Sequence, residues 1–84
     1  MATKSVLINN TAYTLLDTSA DSAVWAQNVS NSEVRIVFSA TLPAVTSTAF
    51  GKLYPGQAIL REGVTGNMYA LSVDASVAAI TVAE

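Results

Sequence analysis

Eighty-four residues with 51% hydrophobic and 12% charged side chains and a net charge of −2 specify one domain and exclude a disordered chain, which would be apolar-poor and charge-rich. Cysteine and histidine are absent, which removes disulfides, thiolate zinc sites and the commonest general base. The four cations, Lys4, Arg35, Lys52 and Arg61, are dispersed, so no basic patch forms and nucleic acid is excluded as a partner.

Short β-prone runs recur about every ten residues between turn signals, which predicts an all-β chain. Thr3 to Ile8 alternates, with Val6 and Ile8 on one face and Leu7 on the other. Asn9-Asn10 suits a tight hairpin into Ala12 to Leu16. The polar stretch from Asp17 to Ser22 reads as a loop; a capping box there would start at most one helical turn, because no apolar stripe follows. Ala23 to Val29 is the next strand, and Trp25, Gln27 and Val29 share a face. Ser30-Asn31-Ser32 then turns the chain into Glu33 to Ser39 as a hairpin. Val34, Ile36 and Phe38 point one way, and Val37 interrupts an otherwise polar opposite face.

Ala40 to Ser47 is an uncharged connector in which Pro43 disfavours a regular strand. Extended structure resumes from Thr48 to Leu53. Tyr54-Pro55-Gly56-Gln57 fits a type II turn: proline presets φ at its second position and glycine supplies positive φ at its third. Ala58 to Arg61 follows, then a glycine-punctuated loop from Glu62 to Gly66. Asn67 to Val73 places Tyr69, Leu71 and Val73 on one face. Asp74-Ala75-Ser76 turns into Val77 to Ala83, with Ile80 and Val82 facing inward. The expected fold is therefore a single antiparallel β-sandwich or flattened barrel of about eight short strands over residues 1–84, without an internal repeat.

No constellation for catalysis, cofactor or metal stands out. The six acids lie mostly at turns or termini, and Asp17 with Asp21 lacks the spacing and glycine of a calcium loop. Serines and threonines abound, yet none has a histidine to activate it and no Gly-x-Ser-x-Gly elbow occurs. An enzyme is not expected. Neither a secretory signal nor a membrane span is visible, so the chain reads as soluble, complete and made in a cytoplasm, with no membrane partner. Asn9-Asn10-Thr11 and Asn28-Val29-Ser30 match the glycosylation pattern by chance on this reading. An aromatic platform of Trp25, Tyr54 and Tyr69 would suit a small carbohydrate-binding module. The favoured alternative packs Trp25 in the core beside Phe38 and Tyr69.

High apolar content with little charge points to burial against another protein. The candidate interface residues are Leu42, Val45, Phe50, Tyr54, Val64 and Met68, with Pro55 and Gly56 as a structural turn. Leu42 and Val45 must either fold back over the core edge or insert into a partner. No small-molecule ligand is expected.

The stretch from Phe50 to Val82 resembles a pattern in small structural proteins of tailed bacteriophages. In that pattern a Leu-x-Pro-Gly strand break leads to a glycine-bounded loop, a Tyr-Ala strand and a short last strand. Here Leu53, Pro55, Gly56, Gly66, Tyr69, Ala70, Val73, Ile80 and Val82 occupy those places. Gln27-Asn28-Val29-Ser30 followed by Val34 to Phe38 extends the likeness toward the N-terminus. The resemblance implies a β-sandwich in the virion: a capsid decoration protein, the base of a head fibre, or a tail or baseplate component. It further implies a homo-oligomer, a trimer above all, bound to the major capsid protein or another virion protein.

Overall fold

The computed structural model describes residues 3–17, 23–46, 48, 50–62 and 66–83, the side chains of Ala23, Arg61 and Glu62 excepted. Eight strands are present among the described residues: β1 (Thr3–Ile8), β2 (Thr14–Asp17), β3 (Ala23–Asn28), β4 (Val34–Ser39), β5 (Gly51–Leu53), β6 (Ala58–Glu62), β7 (Asn67–Ser72) and β8 (Ala78–Ala83). They form two four-stranded sheets of order β1-β8-β3-β6 and β2-β7-β4-β5, and every pairing is antiparallel. This is the expected β-sandwich.

Alternation drives the layering. In the first sheet Ile8, Val24, Ala26, Ile80 and Val82 point inward; in the second, Leu16, Val34, Ile36, Met68 and Ala70 do so. Together they form one core, with Val6, Phe38 and Ile59 packed at its margin. The surface area of 4540 Å² is close to the ~4,700 Å² that the size scaling gives for a folded monomer of 8.7 kDa. The core therefore closes on itself within a single copy.

The two sheet orders match strand for strand: β1 with β2, β8 with β7, β3 with β4, and β6 with β5. Each matched pair is consecutive in sequence, so the chain steps from sheet to sheet at four corners along one end of the sandwich. This corrects two expectations. Asn9-Asn10 and Ser30-Asn31-Ser32 do not close hairpins, because the strands on either side of each lie in different sheets. Among the described residues, the only consecutive strands that pair are β4 and β5, across the long uncharged connector.

Side-chain hydrogen bonds hold the chain where it leaves its sheet at these points. Asn9 Oδ1 accepts hydrogen bonds from the Thr11 amide (3.0 Å), the Thr11 hydroxyl (2.9 Å) and the Ala12 amide (2.9 Å). Asn28 Oδ1 accepts from the Ser30 amide (3.0 Å) and the Ser30 hydroxyl (2.6 Å). Both asparagines thus cap an Asx turn, in which the side chain replaces a backbone turn bond and bends the strand out of its sheet. The two Asn-x-Ser/Thr matches are this corner device used twice.

Asn28 also ties corners together. Its fully buried amide nitrogen donates to the carbonyls of Ser32 (2.7 Å) and Leu53 (2.9 Å). Its backbone carbonyl accepts from the Gly56 amide (2.8 Å), and its own amide donates to the Gln57 carbonyl (2.9 Å). The Pro55-Gly56 turn is type II as expected, with Gly56 at φ 85° and the Gln57 amide bonded to the Tyr54 carbonyl at 3.0 Å.

Several further expectations fall on particular residues. Asp17 ends β2 and is buried, so it is not part of a solvated loop; the rest of that loop, with its possible capping box and Asp21, lies outside the described residues. Glu62 ends β6, residues 63–65 lie outside the described residues, and Gly66 has φ 108°. Val37 fits none of the core rows because it belongs to a second, smaller cluster on the outer face of the second sheet.

Candidate functional site

The six residues expected at an interface do not form one patch. Leu42 (61% exposed) and Val45 (40%) stand in solvent on the β4–β5 connector, so they do not fold back over the core edge. Tyr54 is exposed at the β5–β6 corner, at the opposite end of the sandwich. Met68 is a correction: it is fully buried, because β7 is an inner strand and Met68 stands opposite Phe38 on the core side. Phe50 is half-buried against the outer cluster of the second sheet. Val64 lies outside the described residues.

The outer face of the first sheet was not singled out from the sequence, and two adjacent rows of it carry no charge; Glu62, opposite Ala23, enters the register one row beyond them. One row across it reads Thr3, Ala83, Trp25, Leu60, and the next reads Ser5, Thr81, Gln27, Ala58. Leu7 stands opposite Ala79 beyond them. None of these side chains is charged, and Leu7 (66%) and Leu60 (56%) are among the most exposed large hydrophobics. Trp25 is half-buried in this face and not in the core. The inward positions of β3 are Val24, Ala26 and Asn28, which leaves Trp25 and Gln27 outside. It is therefore parted from Phe38, at the core margin, and from Tyr69, in the outer cluster of the other sheet. The sequence signal was present in unbroken apolar runs, Val6-Leu7-Ile8 and Ile59-Leu60, where a strand with one wet face would alternate.

The outer face of the second sheet is different in kind. Tyr13, Val37, Tyr69 and Leu71 form a buried cluster there, and Phe50 closes over it. The Arg35 guanidinium lies 4.3 Å from the centre of the Phe50 ring, a cation–π contact. Tyr13 Oη and Arg35 Nε are both buried without a hydrogen-bond partner among the described residues. Burial pushes the Tyr13 phenol above its ordinary pKa of 10.0, while the charge of Arg35 pulls it back in part.

An open cleft of about 390 Å³ lies between the β3–β4 and β7–β8 corners, lined by Ser30, Asn31, Ser32, Asp74, Ala75 and Val77. Its serines are already committed. Ser30 Oγ bonds Asn28 Oδ1, and Ser32 Oγ lies 3.3 Å from Ser72 Oγ. The cleft is a crease between corners whose polar groups hold the corners together. Among the described residues no three acidic side chains gather as metal ligands would. No family model matches the chain, and neither do any curated protein or solved structure.

Proposed function

We propose that the chain is a structural subunit of a bacteriophage virion, of the capsid-decoration or head-fibre type, that acts by assembly and not by catalysis. The observation that carries the assembly part is the pair of uncharged rows on the outer face of the first sheet, with Leu7 and Leu60 exposed and Trp25 half-buried between strands. A patch of this kind on a domain whose core is already closed marks a surface to be covered by another protein. A standard interface takes roughly 800 Å² per partner, about a sixth of the 4540 Å² this domain exposes.

The virion part rests on the resemblance. Its residues hold coherent places in the fold: Pro55 and Gly56 make the corner turn, Tyr69 and Ala70 lie in β7, and Ile80 and Val82 fill the core. Self-association as a trimer, with docking on the major capsid protein, is the corresponding arrangement; a tail or baseplate position is the alternative. The carbohydrate-module reading loses its platform, since Trp25 lies on a sheet face and Tyr54 at a corner. Mass spectrometry of gradient-purified particles of the virus that encodes the chain tests the proposal. Many copies per particle are expected. Abundance in the infected cell with none in the particle would overturn it.

A further inference from the structure

Arg35 and Lys52 are direct cross-strand partners on the outer face of the second sheet. Side chains directly opposite in an antiparallel pair are close neighbours, and like charges there repel. Two of the four cations of an acidic chain are thus set side by side. No ion pair relieves either one among the described residues. Extending the β2–β7 register by one residue puts Tyr13 opposite Leu71, which is itself opposite Arg35. One row across the sheet therefore holds Tyr13, Leu71, Arg35 and Lys52. The two buried side-chain polar atoms without partners among the described residues, Tyr13 Oη and Arg35 Nε, both belong to this row. Two cations lack an acid and two donors lack an acceptor, in one strip of one face.

We infer that this row is an anion seat that receives a carboxylate side chain from an acidic segment of a protein partner, on the sheet opposite to the proposed docking face. The chemistry selects a carboxylate. Phe50 holds the guanidinium by its flat face, which leaves the edge of the fork to meet a planar two-oxygen acceptor. Lys52, exposed beside it, adds a mobile second charge. Two cations are too few to track a polyphosphate backbone. An arriving carboxylate would relieve the Arg35–Lys52 repulsion, so the subunit would be stabilised as it binds.

The experiment is a titration of the full isotope-labelled chain with a pentaglutamate peptide, read from backbone amide and arginine side-chain resonances. Parallel titrations use inorganic phosphate and the exposed-site variant Lys52→Gln. The expected result is saturable shifts confined to Arg35, Lys52, Phe50 and Leu71, with affinity at least about fivefold weaker in Lys52→Gln and falling with added salt. Phosphate at the same concentration should shift these residues less. Three results would overturn the inference: no saturable shift, equal shifts with phosphate, or shifts spread over Lys4 and Arg61 as well. The melting temperature of Lys52→Gln, expected to be unchanged or higher because a repulsion is removed, separates loss of the seat from loss of the fold.

Discussion

Replacing Asn28 by alanine tests whether the corner end is held by this one side chain. The substitution deletes four side-chain hydrogen bonds: two donated to the Ser32 and Leu53 carbonyls and two accepted from Ser30. Ser30 is part-buried and can turn to water, but the two carbonyls face a side chain with no exposed surface. Leaving a buried polar group unpaired costs about 1–3 kcal/mol, so the pair costs about 3 kcal/mol if each carbonyl keeps its second lone pair engaged. An 84-residue domain has roughly 4–13 kcal/mol in all. For a domain of this size the loss lowers Tm by roughly 10–25 °C. Asn9→Ala is the control, because it deletes the same Asx turn at the other asparagine corner. All three of its bonds are local and exposed, so about 1 kcal/mol is expected. Urea unfolding followed by the fluorescence of the single tryptophan, Trp25, reads both variants on one scale. Equal losses for the two variants would refute the assignment of Asn28 as the tie between corners.

Gly56→Ala and Gly66→Ala should differ. A Cβ on Gly56 meets nothing within 4 Å, so only the positive φ is strained, by about 1–2 kcal/mol; a Cβ on Gly66 also meets the Ser39 backbone nitrogen at 3.1 Å and should cost more in thermal melts. Leu42→Asp with Val45→Asp should leave the melting curve within about 0.5 kcal/mol of wild type, because both side chains already stand in solvent; a large loss would show that the connector packs on the core. Burial raises the Tyr13 pKa, so its stabilising contribution is complete below pH 10.0 and is lost as pH rises through the higher folded-state value. Tyr13→Phe should remove that part of the alkaline slope in pH-dependent unfolding, and at neutral pH should be neutral or slightly stabilising because Oη has no partner.

Strand positions and inward faces were legible because alternation is local. Val6 and Ile8, Val34 and Ile36, and Ile80 and Val82 all point where a period of two puts them. The Tyr54–Gln57 turn was legible for the same reason, since proline and glycine restrict φ whatever surrounds them. Strand partnership was not legible. A turn of polar residues such as Ser30-Asn31-Ser32 closes a hairpin or carries the chain across to the facing sheet. The deciding fact here is a hydrogen bond from Asn28 to Leu53, 25 residues away. The docking surface was misplaced for a related reason. Met68 reads as a free apolar residue beside a loop, and only its pairing with Phe38 shows that it fills the core. Conversely, Trp25 reads as core by size and hydrophobicity, yet the buried Asn28 three residues on fixes the opposite parity as inward. The outer cluster left one trace in sequence, the unbroken apolar run Met68 to Leu71, which marks a strand covered on both faces.

On the proposed function, protein covers the outer face of the first sheet in the assembled state. Sedimentation velocity across the micromolar range, on the wild type beside Leu7→Asp with Leu60→Asp, tests this directly. Both side chains are more than half exposed, so the variant should melt within a few degrees of wild type. The prediction is a concentration-dependent oligomer, a trimer in the proposed arrangement, for the wild type and a monomer for the folded variant. An oligomer that survives both charges on this face, or a wild type that stays monomeric and leaves the face free when bound to its particle, would contradict the account.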